Sequence, residues 1–394
     1  MPQSNEENFS PEVVASLTNT LDIVMDKTIS AIDRVNDQIR VLALNARIEA
    51  ARAGDAGKAF NIVAMEIAGL SNTSTTVVAN LKRRSRKTLT RISKISESMA
   101  ASFKGTRLCD LSKMNIDLVD RCLYERSCDV RWWATDADLV AALTEKTPKS
   151  ADHASQRLRT ILESYTVYSD LLICNSNGQV VTNGRPDLFR SAGTEVSSTT
   201  WFQTAMQTRS GREYGFQTVH NCSSVNNRPS VIFSAAIREG GMADGRVLGV
   251  MGIVFNWETF ANDIVKNVAL SDEEKCTTRV CIVNSIGDVL ADSAGRMLQD
   301  SIDFSGRSRL FAGKAGHAIA EVGGTNCYIG HAHSAGFETY SCGWHSVLIQ
   351  EVGTPNESIN EDEESKRRSD RPSNRRVAER RKRRTTSLTT RPLR

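Results

Sequence analysis

Nowhere does this sequence string together the roughly 18 to 20 apolar residues that cross a bilayer. The opening MPQSNEENFSPEVV also lacks the basic start and apolar centre of a secretory leader. Both absences lead to the expectation of a cytoplasmic protein without a transmembrane segment. The nine cysteines form no CxxC pair and are odd in number, so reduced, mostly buried thiols are expected rather than a disulfide framework. No phosphate-binding loop, GxSxG elbow or HExxH motif occurs, and no two titratable residues stand out as an acid and base pair. An enzyme is not expected, and no cofactor is implied.

Proline is scarce, with 8 in 394 residues. None follows Pro11 before Phe103, and glycine in that stretch is confined to Gly54, Gly57 and Gly69. That is helix composition. Leu21, Met25, Thr28, Ile32, Val35, Ile39, Leu42 and Ala46 recur at alternating spacings of four and three, the seam of a coiled coil. After AGDAG the pattern resumes as Phe60, Val63, Ile67, Leu70, Ser74, Val77 and Leu81, and it weakens at LKRRSRK. Two seams of one period with glycines between them predict an antiparallel helical hairpin over 11–103, turning near Ala53 to Gly57. A flexible leader over 1–10 precedes it.

Residues 110–165 read as mainly helical, with an interruption around TPKSAD. Beyond them the period changes. LLICNSNGQVV, SVIFSAAI, RVLGVMGIVFNW, TRVCIVNSIGDVLADS, TNCYIGHAH and WHSVLIQ are short β-branched runs divided by Gly, Asn and Asp turns. They predict antiparallel strands, flanked by helices at Thr200 to Thr208 and Trp257 to Val268. Two strand clusters, 166–270 and 276–353, suggest two stacked submodules of an α+β module covering 104–353.

The net charge of +4 averages unlike parts. From Lys366 to Arg394 there are thirteen Lys and Arg against Asp370 and Glu379, a surplus of 11 that leaves −7 on the rest. Residues 354–394, acidic at EDEES and then basic, cannot bury enough apolar surface to offset ordering and are expected to be disordered.

The segment IDRVNDQIRVLALNARIEAARAGDAGKAFNIVAMEIAGLS resembles the hairpin tip of methyl-accepting chemotaxis receptors over roughly forty residues. The resemblance rests on heptad core, turn glycines and fixed charges together. It implies a homodimer, in which two hairpins form a four-helix bundle, and binding of the adaptor CheW and the histidine kinase CheA. Matched to the motif position by position, contacts between dimers would involve Asp37, Val41, Leu42, Asn45, Glu49 and Arg52. The adaptor and kinase surface would involve Ile48, Gly54, Asp55, Lys58 and Ile62. Asp37, Arg40, Arg47 and Ala59 depart from the family pattern, and the charges at 37 and 47 imply altered clustering of dimers. No paired Glu/Gln site lies in an Ala/Ser-rich helix, since Glu6 and Glu7 fall in the leader and Glu97 is single. Methylation-based adaptation is therefore not expected.

From about Asn115 to Val352 the order of elements resembles a Cache-type sensor, a PAS-like sheet that often occurs as a double unit. The resemblance carries NIDLVDRCLYERSCDVRWWATD as a leading helix, then YSDLLICNSNGQVV, TTWFQTAMQTRSGREYG, PSVIFSAAIREGG and RVLGVMGIVFNWETF. It places a pocket for a small molecule beside the first sheet, where aromatic walls and a few directed donors come from Tyr168, Trp201, Phe202, Tyr214, His220 and Arg228. Amino-acid-binding members of that family carry an arginine two places before the tryptophan, and this chain has Thr199 there. An ordinary amino-acid ligand is not implied.

His331 and His333 share a strand face, and with Cys342 and His345 they invite a metal-site reading. No partner stands at a characteristic zinc spacing, so no metal is expected. The RRVAERRKRR tail contains no aromatic for base stacking. The expected function is therefore a chemoreceptor-like transducer. A non-sensing accessory of chemosensory arrays and a basic-tail nucleic-acid regulator are the rival readings.

Overall fold

The computed structural model describes residues 11–352; the leader over 1–10 and the tail over 354–394 lie outside the described residues. Helix α1 (Pro11–Arg52) runs to a short 3-10 turn, Gly54–Gly57, and α2 (Lys58–Trp133) returns beside it. Two glycines make the reversal possible. Gly54 adopts φ +59°, and a Cβ on Gly57 would overlap the Ala50 carbonyl. Asp26 pins the register by accepting from Arg86 at 2.9 Å and pairing with Lys82 at 3.6 Å. The basic run that weakens the seam thus ties the arms together.

The buried seam is one residue out of phase with the one read from the large aliphatics. Ile29, Asn36, Ala43 and Ala50 meet Gly57, Ala64, Ser71 and Val78, a contact of mostly small side chains. Met25, Ile32, Ile39 and Ala46 are half-buried, whereas Leu21, Val35, Leu42, Phe60, Val63, Leu70, Val77 and Leu81 are exposed. The arms approach closely through small residues and leave the bulky half of each heptad on the outside.

No helix end marks the boundary at 103/104 between the hairpin and the module. Helix α2 continues as one 76-residue helix from the turn to Trp133, about 114 Å at about 1.5 Å per residue. Over 110–165 the helical stretch is three pieces, the end of α2, α3 (Ala137–Glu145) and α4 (Pro148–Ser164): the interruption expected around TPKSAD separates α3 from α4, and a second one, not expected, follows Trp133. Asp136 caps α3 by accepting from the Asp138 amide. Lys146 takes φ +55°, and Thr147 forms a capping box with Ser150 ahead of Pro148. The helix Gly54–Trp133 is also long and apolar enough to count as a candidate membrane span, with mean hydropathy 1.2 over its least polar window, against the sequence expectation. Residues 62–79, its least polar part, include Glu66 and six consecutive Ser, Asn and Thr side chains at 71–76.

Two five-stranded antiparallel sheets follow. Sheet 1 contains β1 (Tyr168–Asn175), β2 (Val180–Asn183), β3 (Gly215–Cys222), β4 (Arg228–Arg238) and β5 (Val247–Asn256), in the order β2-β1-β5-β4-β3. Helix α5 (Thr200–Met206) lies between β2 and β3 in sequence, and α6 (Trp257–Lys266) and α7 (Asp272–Thr277) lead onward. Sheet 2 contains β6 (Thr278–Val283), β7 (Val289–Asp292), β8 (Ala315–Val322), β9 (Thr325–His333) and β10 (His345–Glu351), with α8 (Arg307–Phe311) preceding β8. Its order, β7-β6-β10-β9-β8, repeats that of sheet 1.

Helix α2 binds both sheets on one side. Leu108, Ile116, Val119, Leu123 and Val130 join Leu171, Phe233 and Ile253 of sheet 1 and Ile282, Ala332 and Leu348 of sheet 2 in one buried cluster. Glycine at 330 lets the sheet touch the helix, since a Cβ there would overlap Leu108. The outer faces have separate cores, under α5 for sheet 1 and beside α8 for sheet 2.

Candidate functional site

The hairpin tip presents the sequence-matched residues outward. Asp37, Val41, Leu42, Asn45, Glu49 and Arg52, and likewise Ile48, Gly54, Asp55, Lys58 and Ile62, are all exposed. Three ion pairs organise the charges: Asp37 with Arg40 at 3.9 Å, Glu49 with Arg52 at 2.8 Å and Asp55 with Lys58 at 2.8 Å. Each spans three residues on a water-facing surface, where such a pair contributes little stability, about 0 to 1 kcal/mol. Their effect is orientation. The tip is a surface of exposed aliphatics, Val41, Leu42, Leu44 and Ile48, ringed by paired charges.

The six residues expected around a sensor pocket do not converge. Tyr168 packs on the helix side of sheet 1, where its hydroxyl donates to Asp129 at 2.5 Å and Arg126 lies over its ring. Tyr214 packs on that same side, 6.1 Å from the Phe233 ring. Trp201 and Phe202 lie on the opposite face among Leu172, Ile232 and Val254. His220 is half-exposed with Nδ1 2.9 Å from the Thr218 carbonyl, and Arg228 is exposed. No one cavity can touch all six.

The outer face of sheet 1 is filled. Trp201 is 2% exposed and lies against Gly252, where a Cβ would come within 2.8 Å of the indole. Ser234 fixes the start of α5 by donating to the Trp201 carbonyl at 2.6 Å. At the edge of this face Asp170 is fully buried and accepts from Asn183 Nδ2 at 2.7 Å and from the amides of Leu171, Gly184 and Arg185. Burial pushes its carboxyl up to about 6 despite those donors. The Arg185 guanidinium meanwhile donates to the carbonyls of Tyr168, Ser169 and Leu162. These contacts brace the chain leaving β2.

Sheet 2 carries polar groups on its outer face instead. His331 Nε2 and His345 Nδ1 stand 2.7 Å apart, and Phe311 stacks on both rings at 4.8 and 4.3 Å. Burial, then the neighbouring imidazoles, hold both histidines down at about 4, so they are neutral at ordinary pH. His333 joins them 4.7 Å from His345. Cys342 is elsewhere, donating to Asp120 at 3.2 Å. Among the described residues no group of three or more His, Cys, Asp or Glu is arranged to hold a metal ion.

Asp120 escaped the sequence reading. It is 1% exposed on α2 and accepts from Ser334 Oγ, the Gly336 amide and Cys342. The available signal was an acid at a core-facing position between Ile116, Val119 and Leu123. An apolar stripe holds an acid only if something binds it.

The sequence is similar to known proteins over most of its length. The sequence matches the Cache domain family over residues 60–354. It is 44% identical over 68 residues to the methyl-accepting chemotaxis protein McpK of Pseudomonas aeruginosa, covering 17% of this chain and 10% of that protein. It is 57% identical over 44 residues to the methyl-accepting chemotaxis protein Amb0994 of Paramagnetospirillum magneticum, covering 11% and 10%. Each of these alignments therefore spans about a tenth of the curated relative's length. Among solved structures, the sensor domain of the V. cholerae histidine kinase DctB aligns over 64% of this chain and 99% of its own, at 10% identity and a TM-score of 0.49. The ligand-binding domain of the Pseudomonas fluorescens chemoreceptor CtaA, in complex with L-alanine, aligns over 63% and 96%, at 13% identity and 0.45.

Proposed function

Because the chain belongs to the Cache domain family, we propose that it is a chemoreceptor-like transducer whose Cache module senses a small molecule and whose hairpin tip modulates the histidine kinase CheA through the adaptor CheW. One observation carries this reading. Helix α2 is at once the descending arm of the hairpin and the strut on which both sheets are mounted. A ligand that prefers one placement of a sheet on α2 shifts the equilibrium of the hairpin; equal affinity for both placements would shift nothing.

The active unit in this proposal is a homodimer. Two hairpins that bring together Leu21, Val35, Leu70 and Val77 bury the half-heptads that one hairpin leaves in water. We place it in the cytoplasm. Inside the apolar window, Glu66 and the polar run 71–76, with Ser71 bonded to the Asn36 carbonyl across the hairpin, suit a helix packed on α1 and not one immersed in hydrocarbon. Tip and sensor then share one compartment.

Reconstitution with CheA and CheW tests the reading. The full chain is expected to co-sediment with both and to change CheA autophosphorylation, and Glu49→Ala/Arg52→Ala to lose that effect. A wild-type chain that neither binds CheW nor alters CheA overturns it.

The packed outer face of sheet 1 favours a second reading, a non-sensing accessory of chemosensory arrays. Thermal shift of the full chain against metabolites separates the two, since a ligand at a hundred times its Kd adds about 2.7 kcal/mol.

A further inference from the structure

The connection between β9 and β10, residues 334–344, touches α2, sheet 1 and α6 at once. Ser334 Oγ donates to both oxygens of Asp120 at 2.8 Å, the Gly336 amide to one at 2.9 Å, and Cys342 Sγ to the other at 3.2 Å. Phe337 packs edge-on to Tyr124 of α2 at 5.3 Å, beneath the Arg121 guanidinium. Tyr340 reaches sheet 1, with ring centroids 6.0 Å from Phe216 and 5.8 Å from Phe233. Trp344 meets Trp257 of α6 at 5.1 Å. A segment of sheet 2 therefore grips α2 with one side and sheet 1 with the other.

The Tyr340 hydroxyl is buried and makes no hydrogen bond to any group among the described residues. It lies close enough to Cys342 and Asp120 for their charges to add to the effect of burial in raising its pKa. Meanwhile Asp120 takes one of its donors from a thiol, which is weaker than a phenol. We infer that residues 334–344 form a two-position joint in which the Tyr340 hydroxyl and the Cys342 thiol alternate as donors to Asp120.

The two positions have opposing merits. In the one described, the Tyr340 ring is seated on Phe216 and Phe233 and its hydroxyl lacks a partner, which buried hydroxyls rarely do. In the other, the hydroxyl bonds the carboxylate and the thiol is released. A released thiol is tolerated, because a buried cysteine behaves as a small apolar group. The balance is set by where sheet 1 holds Phe216 and Phe233. Displacing them moves Tyr340, and Tyr340 exchanging onto Asp120 moves α2. Asp120 is then a positioning residue for signalling, an inference that rests on the proposed function for its purpose but not for its geometry.

The test uses the full chain with Tyr340→Phe and Cys342→Ala, read by hydrogen exchange and by CheA autophosphorylation. Tyr340→Phe removes a group with no partner in the described position. It is expected to raise Tm and to slow exchange across 334–344 by about threefold or more. Cys342→Ala removes the competing donor and is expected to speed exchange there and in α2 around Asp120. In the kinase assay the two variants should move activity in opposite directions, which a purely structural role would not do. A lower Tm for Tyr340→Phe, or exchange in both variants equal to wild type, overturns the joint. If the variants shift exchange oppositely while wild type leaves the kinase unaffected, the proposed function fails and the joint stands.

Discussion

Ser71 donates its hydroxyl to the backbone carbonyl of Asn36, 2.9 Å away across the two arms of the hairpin. Both residues are buried, and a side chain much larger than serine at 71 would force the arms apart. Ser71→Ala is expected to cost about 1 kcal/mol through the lost hydrogen bond, and Ser71→Leu about 1 to 3 kcal/mol through overpacking. Thermal melts of the full chain followed by circular dichroism distinguish the two.

Leu70, next to Ser71, is 71% exposed. If a second hairpin covers it, Leu70→Glu buries a charge in the bundle core, whereas in a lone hairpin the change is nearly neutral. Sedimentation equilibrium should show dimer dissociation strengthened by roughly a hundredfold, about 2.7 kcal/mol, with helix content unchanged. An unaltered monomer–dimer equilibrium would remove Leu70 from the interface.

Trp201 occupies the space that a ligand beside sheet 1 would need. Trp201→Ala should cost about 3 to 5 kcal/mol and leave an apolar cavity over Gly252. Indole added to the variant is expected to restore part of the lost Tm and to leave wild type unchanged. A wild-type shift of equal size would mean that the face already has room.

Acid should destabilise the protein, with two opposing contributions in one pH window. His331 and His345, held at about 4 against an ordinary 6.5, take up protons more readily when unfolded. Their stabilisation is complete above about 6.5 and is lost as pH falls toward 4. Asp170, raised from 3.8 to about 6, works the other way. It binds its proton more readily when folded, so its contribution is largest below about 4 and declines as pH rises through 6, on the order of 3 kcal/mol. Two histidines outweigh one aspartate, so net stability should fall from pH 6.5 to 4. Asp170→Asn should steepen that fall and His345→Phe should flatten it, as read from urea midpoints at each pH.

Much of the architecture was legible because it rests on local chemistry. The glycines of AGDAG and the interruption around TPKSAD announce turns that the structure contains, and the period of α1 survives in full. The phase of the seam did not survive. Reading the largest aliphatics as the arm–arm contact selects Leu42 and Leu70, whereas close approach selects Ala43 and Ser71. The boundary drawn between a hairpin over 11–103 and a module from 104 falls inside α2, because a helix can change what it packs against without ending. The unread strands β3 and β8 share a place at the edge of their sheets, where GFQTVHNC and AGHAIAEV need little apolar surface. Tyr168 and Trp201 are both aromatic and close to sheet 1, but Tyr168 on β1 faces the α2 side, whereas Trp201 belongs to α5, which covers the other face. Asp120 required knowledge of a loop more than two hundred residues away.

The uninterrupted course of α2 also sets the gain of the proposed transducer. Asp120 lies 62 residues from Lys58, about 93 Å along the helix at about 1.5 Å per residue. Taking Asp120 as fulcrum, a tilt of about two degrees sweeps the tip sideways by about 3 Å, roughly the span of a hydrogen bond. A change too small to disturb the packing around the carboxylate is thus large enough to make or break a contact at the far end of the lever.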